Sequence, residues 1–399
     1  MAGDCHGWRL AVTGIAMRNT AILSVLLLFA SVSKQPDTQQ TVVQRPQSGS
    51  ATVFRRAATL TRGINLSGWF GGSVEYSPKH TSAYITLADL RAMRAMGIQY
   101  VRFPFDPAQL TRDGVLSADK EDVWKNIDEA LDMVQGSGLA IDFVVFPADD
   151  YKQRLATQAG VNQFIVLWQA LAKHFAGRDP NRFFFELMNE PKIENRYKWI
   201  GIEGQTLKAI RQIDTRHTVL ATGANWDGLE DLLEAEALPD GNVIYTFHFY
   251  EPYAFTHQGI NWAESELPFY KNIPYPATPE SLAEEVKSIR DDGARYRLYL
   301  YGAGGWNRTG IGQRLAFAAD WGRERHVPVI CNEFGADRET APADSRARYL
   351  EDVRIGLEQQ GIGWAMWDWS GNFGLVTRKD NAVVPDAAIA HALGLKQLR

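Results

Sequence analysis

The stretch FFFELMNEPK, residues 183–192, is a short apolar run that ends on an amide, a carboxylate and a proline. Its first residues are mostly apolar and predict a strand buried in a protein core. Asn189 and Glu190 stand at the tip of that strand, and Pro191 closes it. A carboxylate at the tip of a core strand is held rigidly, so the pattern indicates a functional site rather than a solvated surface.

The same rhythm of apolar strand and amphipathic helix recurs from residue 62 onward. This alternation predicts parallel strands joined by helical crossovers. An open, doubly wound sheet is the alternative, but the segment GINLSGWFGG lacks the G-x-G-x-x-G spacing typical of that architecture. We therefore expect an α/β fold, a single (β/α)8 TIM barrel. The candidate strands are RGINLSGW, IQYVRFP, LAIDFVVFP, RFFFELMNE, HTVLATG, NVIYTFHFY, VPVICNEFG and IGWAMWDW.

Composition limits the class of partner. The chain has 399 residues, of which 45% are hydrophobic, and its net charge of -5 comes from 47 acidic and 42 basic residues. No long run of one charge favours nucleic acid or an anionic membrane surface. The 12 Trp and 14 Tyr side chains suit stacking on the apolar faces of sugar rings, although most are expected in the core. We expect a neutral partner.

The N-terminus is typical of an exported protein. Arg18 precedes AILSVLLLFASVS, a short apolar run ending in small residues, and residues 1–33 are expected to be a signal peptide. The run is shorter than the about 20 apolar residues of a membrane-spanning helix, but an uncleaved anchor is the alternative. Residues 34–57 are expected to be a flexible linker and residues 58–399 the barrel domain. Cys5 lies in the segment expected to be removed, so Cys331 has no partner for a disulfide. The predicted localisation is secreted or periplasmic, without stable membrane association.

One connection is much longer than the others. About sixty residues separate Tyr250 from the helix near Gln313, against about 2–6 in a usual connection. Tyr253, Phe255 and Trp262 in this segment are expected to stack on sugars away from the cleaved bond. The alternative is an insertion that forms its own small core.

Polar and aromatic residues cluster at the predicted strand ends, where the chemistry of a (β/α)8 barrel lies. Each alone has a structural explanation, such as a buried ion pair or a satisfied core histidine. Together, without metal-ligand spacing such as H-E-x-x-H, they indicate proton and nucleophile chemistry with no metal or cofactor. Paired carboxylates at a neutral, aromatic mouth suit glycoside hydrolysis. These residues are Arg102, Asn189, Glu190, His248, Tyr250, Glu333 and Trp367.

Three motifs, ELMNEP, VPVICNEFG and TFHFYEPYAFTHQG, occur in the order found in one enzyme family. Over residues 62–374 the sequence resembles the family 5 glycoside hydrolases (cellulase family A), and in particular the cellulase-like members. Spacing does not decide which glutamate does which task. The resemblance implies that Glu190 is the general acid/base and Glu333 the nucleophile.

The resemblance also implies the supporting residues. Asn189 corresponds to the partner of the sugar 2-hydroxyl, Tyr250 to a hydrogen-bond donor to the nucleophile and Arg102 to its electrostatic support. His248 is implied as a partner of the acid/base region and Trp367 as the stacking floor. Three further tryptophans, Trp69, Trp226 and Trp262, are expected to extend the cleft.

One departure concerns the third strand. Family members commonly carry a histidine at its end, whereas this chain has GLAIDFVVFPADD, with Phe146 near the expected position. We expect a retaining endo-β-glycosidase that acts on a β-1,4-glucan, with no cofactor. The alternatives are a hydrolase of another β-glycan (mannan, xyloglucan or an exopolysaccharide), a non-catalytic polysaccharide-binding barrel and a structural scaffold. A retaining mechanism predicts carboxyl groups about 5–5.5 Å apart, with the charge of Glu333 raising the pKa of Glu190.

Overall fold

Eight parallel strands close into a barrel in the order in which they occur along the chain. The computed structural model describes residues 49–73, 75–379 and 382–398. All eight predicted strands form, which confirms the (β/α)8 barrel. Strands β1 to β8 are Arg62–Asn65, Tyr100–Phe105, Ala140–Val145, Phe183–Glu186, Val219–Ala221, Val243–Phe249, Val329–Phe334 and Gly363–Met366.

Helices surround the barrel and bury one face against it. In Gln158–Phe175, for example, Phe164, Leu167 and Leu171 are fully buried, at the i, i+3, i+7 positions that share one helix face. The α-helices are Ala51–Ala57, Pro78–Tyr84, Leu87–Met96, Glu121–Gly136, Asp149–Arg154, Gln158–Phe175, Arg196–Arg211, Leu229–Leu233, Tyr253–Thr256, Ala283–Ser288, Asp292–Ala303, Arg308–Arg325, Ala343–Gln359 and Ala387–Ala392. Two short hairpins pair Thr111–Arg112 with Val115–Leu116 and Val376–Lys379 with Ala382–Pro385.

Apolar side chains fill the amino-terminal half of the barrel interior. Tyr100, Phe184 and Ile330 point inward from three different strands and belong to one buried cluster. Above this layer, towards the carboxyl ends of the strands, the inward positions become polar: Arg102, Glu186 and Glu333 are all buried. The apolar layer therefore forms a rigid base for a polar group at the other end of the barrel.

Residues 49–61, the described part of the chain before β1, pack against the barrel, and the expectation of a flexible linker is wrong for residues 49–57. Ala51–Ala57 is an α-helix that begins at Ser50, whose side chain accepts a hydrogen bond from the Val53 amide. Val53 is fully buried in the cluster inside the barrel, and the Arg56 guanidinium donates to the Arg216 carbonyl at 2.6 Å. The composition of residues 34–57 predicted disorder. The apolar contact of Val53 and the hydrogen bonds of Arg56 with the barrel offset the conformational entropy that is lost when this helix becomes ordered.

The insertion between β6 and β7 contains several short helices and packs on itself. Tyr270, Tyr275 and Tyr301 are buried, and the Tyr275 hydroxyl donates to Asp352 at 2.9 Å. Phe255 is also fully buried, so the prediction that it stacks on sugars is wrong. Most of this segment therefore forms its own small core, as the alternative interpretation of the long connection predicted.

The predicted signal peptide and the residues before position 49 lie outside the described residues. Within the described part of the chain, no helix has the length and apolar character needed to cross a membrane. Cys331 is a buried free thiol on β7.

Candidate active site

The structure brings the predicted strand-end residues together at the carboxyl end of the barrel. Arg102 lies on β2, His248 on β6 and Glu333 on β7. Asn189 and Glu190 follow β4 directly. Glu190 has a φ of 45°, a left-handed conformation that costs a non-glycine residue about 1–3 kcal/mol; residues strained in this way cluster at functional sites.

Arg102 is the electrostatic centre of this group. Its side chain is fully buried and forms ion pairs with both Glu186 and Glu333. The bond to Glu186 is bidentate, with N–O distances of 2.6 and 2.7 Å. The same guanidinium donates to the side-chain oxygens of Asn65 and Asn189, each at 3.0 Å. Five hydrogen bonds therefore fix Arg102 beneath Glu333 and support a negative charge there.

The two glutamates face each other across His248. The Tyr250 hydroxyl donates to Glu333 at 2.8 Å, and the other oxygen of Glu333 accepts from Arg102. His248 Nδ1 lies 3.0 Å from Glu190 and 3.5 Å from Glu333. One carboxylate oxygen of each glutamate and a nitrogen of His248 all lie within 4.8 Å of one another. This spacing allows the two carboxyl groups to act on opposite sides of one glycosidic bond.

The pKa of Glu190 differs in direction from the prediction. Burial raises this pKa, but the hydrogen bond with His248 and the electrostatic effects of His248, Lys152 and Arg102 outweigh burial and hold the pKa below its ordinary value. The prediction that Glu333 raises the pKa of Glu190 is therefore wrong for the free protein. Burial and the charge of Glu333 raise the pKa of Tyr250 well above its ordinary value, so its hydroxyl remains a donor.

Four further buried groups support the site and were not predicted. Glu186 and Asn332 bond to each other at 2.9 Å, next to Arg102. Asp142 lies below them, where burial and the charge of Glu186 raise its pKa well above the ordinary range. Asp227 Oδ2 lies 3.6 Å from His248 Nε2. A carboxylate inside the apolar run FFFEL could have indicated Glu186, whereas the other three became recognisable only in the folded chain.

Aromatic side chains line parts of the mouth. Trp367 is partly exposed and packs nearly parallel to Phe146, with ring centroids 5.8 Å apart. Trp226 is 46% exposed, with the Lys192 ammonium 4.4 Å from its ring centre, and Trp262 is 67% exposed. Phe146 thus places an apolar ring beside the predicted stacking floor, at the strand end where the family commonly has a histidine.

Trp69 does not line the cleft, and that prediction is wrong. Its side chain is 1% exposed, packs against Phe70 and Phe103, and donates its indole N–H to the Thr81 carbonyl at 2.7 Å. The segment after β1 folds back over the barrel, so this tryptophan joins the core.

The donors of Glu190, His248 and Glu333 are also types that a divalent cation can bind. Arg102 and Tyr250 already donate to the two oxygens of Glu333. A cation bound there would lie close to the buried guanidinium charge. The arrangement therefore suits proton transfer and nucleophilic attack better than metal binding.

Comparison with known proteins agrees with this geometry. Residues 58–373 match the family model for cellulase (glycosyl hydrolase family 5). Endoglucanase C of Acetivibrio thermocellus is 29% identical over 77% of this chain and 90% of its own length. Endoglucanase 3 of Fibrobacter succinogenes is 27% identical over 79% of this chain and 50% of its own length.

Solved structures share the fold. Thermotoga maritima Cel5A in complex with cellobiose superposes with a TM-score of 0.69 at 21% identity, covering 85% of this chain and 99% of that chain. The cellulose synthase subunit Z of Clostridioides difficile superposes with a TM-score of 0.68 at 22% identity, covering 84% of this chain and 99% of that chain. The family-model match spans most of the barrel, and the chain therefore belongs to glycosyl hydrolase family 5, the cellulase family.

Proposed function

We propose that the protein is a retaining endo-β-1,4-glucanase that uses Glu190 as the general acid/base and Glu333 as the nucleophile. The observation that carries this proposal is the spacing of the two carboxylates, whose nearest oxygens lie within 4.8 Å of each other. Retaining glycosidases hold their carboxyl groups about 5–5.5 Å apart, whereas inverting enzymes leave about 6.5–9.5 Å for a water molecule.

The first step forms a covalent glycosyl-enzyme. Glu333, held by hydrogen bonds from Arg102 and Tyr250, attacks the anomeric carbon, and Glu190 protonates the departing oxygen. The Glu190 side chain is 24% exposed in the free protein. A bound sugar covers this exposed part, and loss of solvent favours the neutral carboxylic acid over the carboxylate. Substrate binding therefore moves Glu190 towards the protonation state that the first step needs.

The second step releases the sugar with its original configuration. Glu190, now ionised, accepts a proton from water, which attacks the glycosyl-enzyme from the side that the leaving group vacated. His248 holds Glu190 in place through the hydrogen bond of 3.0 Å. Asn189, fixed by Arg102, presents its side-chain amide to the 2-hydroxyl of the sugar under attack, and Trp367 stacks on that sugar.

Exposed tryptophans extend the binding site along a polymer. Trp226 and Trp262 offer rings on which further sugars stack, and such remote contacts position the chain for cleavage. The names of the relatives favour a glucan: Endoglucanase C and Endoglucanase 3 are both named for that activity. Reducing-sugar release from a panel of soluble β-1,4-glucan, mannan, xyloglucan and xylan tests the substrate. Faster release of reducing sugar from mannan than from β-1,4-glucan would contradict the proposal that glucan is the substrate.

Azide rescue tests the roles of the two glutamates. With Glu190→Ala and an activated aryl β-glycoside, Glu333 still forms the intermediate, so azide should give a β-glycosyl azide. With Glu333→Gly, azide takes the place of the nucleophile and attacks once, so the product should be the α-azide. NMR of the products distinguishes the two anomers. Exchanged products would reverse the assignment, and an inverted sugar from the wild type would contradict the retaining mechanism.

We also propose that the protein is exported after removal of residues 1–33, with a catalytic domain that consists of the helix Ala51–Ala57 together with residues 58–399. The apolar run of residues 21–33 supports this because it is short and ends in small residues. N-terminal sequencing of exported protein should find a start between about residues 31 and 40. Recovery of Cys5 in protein from the membrane fraction would show an uncleaved anchor instead.

A further inference from the structure

Lys152 is a nearly buried lysine with no part in the two proposed steps. It lies on the short helix Asp149–Arg154 that follows β3, and it is 5% exposed. Within the described part of the chain, its ammonium forms no ion pair and no side chain or backbone group accepts a hydrogen bond from it. Lysine is almost never buried without a partner, because a charge removed from water needs compensation. The unpaired ammonium therefore calls for a ligand.

Two contacts place the helix of Lys152 beside the cleft. Phe146, three residues before the helix begins, packs on Trp367, the proposed stacking floor, with ring centroids 5.8 Å apart. Asp149, the first residue of the helix, binds the Lys192 ammonium at 2.6 Å, two residues after the proposed acid/base. Asp149 and Lys152 are three positions apart and so share a helix face. Lys152 therefore lies between the stacking floor and the loop that carries the acid/base.

The electrostatics of the site agree with this position. Burial lowers the pKa of Lys152, whereas the charges of Glu190 and Asp149 raise it, and Glu333 acts in the same direction. Lys152 in turn helps to lower the pKa of Glu190. The ammonium is thus close enough to both catalytic glutamates for the charges to act on each other, although it bonds to neither.

The ammonium reaches the surface of the protein. Its nitrogen is not among the fully enclosed polar atoms that lack a partner in the described part of the chain, so the small exposed part of Lys152 includes Nζ. An ammonium has three N–H donors and no acceptor. A ligand oxygen that accepts from it would supply the hydrogen bond that the free protein lacks, and binding gains from filling such a position.

We propose that Lys152 is a substrate-binding residue whose ammonium donates a hydrogen bond to a hydroxyl oxygen of the sugar chain next to Glu190. The proposal rests on the proposed function above. A neutral sugar fits this position better than an acidic one, because Glu190, Asp149 and Glu333 already place three carboxyl groups near the ammonium. A further carboxylate on the sugar would be repelled by them. The site therefore selects a neutral glycan with a free hydroxyl at this point.

The stability of Lys152→Met separates a binding role from a structural one. Methionine has a similar length and is apolar, and the substitution removes a buried charge that has no bonded partner in the described part of the chain. The urea midpoint of Lys152→Met should therefore equal or exceed that of the wild type. A lower midpoint would show that the ammonium supports the fold, and would overturn the proposal.

The same substitution should impair turnover. We expect Lys152→Met to lower kcat/KM on cellotetraose about 10–100-fold, the range for loss of a hydrogen bond from a charged donor. Lys125→Met is the matched control, because the Lys125 side chain is 75% exposed, and it should leave kcat/KM unchanged. A value for Lys152→Met equal to that of the wild type would contradict the binding role.

Calorimetry gives a readout that does not depend on turnover. Cellotetraose should bind more weakly to the double variant Glu333→Gln, Lys152→Met than to Glu333→Gln alone. Equal affinities would overturn the proposal for Lys152. The proposed function fails separately, if the wild type does not hydrolyse cellotetraose.

Two soluble celluloses test the class of sugar. For a neutral ligand, Lys152→Met should lower the initial rate by a similar factor on hydroxyethyl cellulose and on carboxymethyl cellulose, each at low concentration. A much larger loss on carboxymethyl cellulose would show that the ammonium binds a carboxylate, and would overturn the assignment to a neutral sugar.

Discussion

At the scale of single residues, Glu186 is the second buried carboxylate that forms an ion pair with Arg102. Its carboxylate is fully buried, binds the guanidinium in a bidentate manner and accepts a hydrogen bond from Asn332. Arg102 therefore lies between two carboxylates, Glu186 and the proposed nucleophile Glu333. The bidentate bond to Glu186 holds the arginine in a single orientation, so that Glu333 always meets the same hydrogen-bond donor.

Glu186→Gln should destabilise the protein and impair its chemistry. Removing one member of a buried ion pair costs about 3–5 kcal/mol, because the remaining charge loses its partner. A tilted guanidinium would also misplace Glu333, and kcat should fall by up to about 10²-fold. Denaturant unfolding and initial rates measure both effects. Glu284→Gln, at a position whose side chain is 84% exposed, is the control and should change neither. Wild-type stability in Glu186→Gln would contradict this role.

At the scale of elements, the helix Ala51–Ala57 closes the amino-terminal end of the barrel. Val53 enters the buried cluster inside the strands, and Arg56 bonds to the loops below them. The neighbouring side chain of Phe54 points away and is 45% exposed. One helix thus offers a buried and an exposed position side by side, at the end of the barrel opposite the active site.

Val53→Ala should lower the free energy of unfolding by about 1–3 kcal/mol, because it removes buried methyl groups and leaves a small cavity. Phe54→Ala, the matched control on the same helix, should change it by less than about 0.5 kcal/mol. The kcat of both variants should equal that of the wild type. A lower kcat for Val53→Ala at a temperature where it is folded would show that the two ends of the barrel are coupled.

At the scale of the whole molecule, buried carboxyl groups make stability depend on pH. Burial raises the pKa of Glu203 to about 8, against the hydrogen bond that its carboxylate accepts from the Thr222 amide at 2.9 Å. Burial also raises the pKa of Glu251 to about 7 and that of Asp227 well above its ordinary range. The folded protein binds these protons and the unfolded chain does not, so stability is lost as pH rises through the folded pKa values.

The free energy of unfolding should therefore fall between pH 6.5 and pH 8. Glu203→Gln retains a side-chain oxygen for the Thr222 amide but cannot ionise, so this fall should be shallower by up to about 1.4 kcal/mol per pH unit. Urea unfolding at the two pH values measures the difference. The exposed Glu194, changed to Gln, should leave the slope unchanged. A slope in Glu203→Gln equal to that of the wild type would show that Glu203 is already ionised.

Local pattern was sufficient to predict the eight strands, the barrel and the meeting of Glu190 with Glu333. Hydrophobic periodicity is a property of neighbouring residues, and in a parallel barrel the ends of all strands meet at one face, so residues far apart in sequence could be placed together. The family motifs then predicted that Glu190 is the general acid/base and Glu333 the nucleophile.

The burial of individual side chains, their pKa values and their hydrogen-bond partners could be read only from the tertiary structure, because all three depend on groups that are distant in sequence. Trp69 and Trp226 look equivalent along the chain, yet the loop after β1 buries the first and leaves the second exposed. The lowered pKa of Glu190 depends on the position of His248, 58 residues away. The position of Lys152 beside the cleft likewise depends on the ion pair between Asp149 and Lys192, 43 residues apart, a contact that exists only in the folded chain.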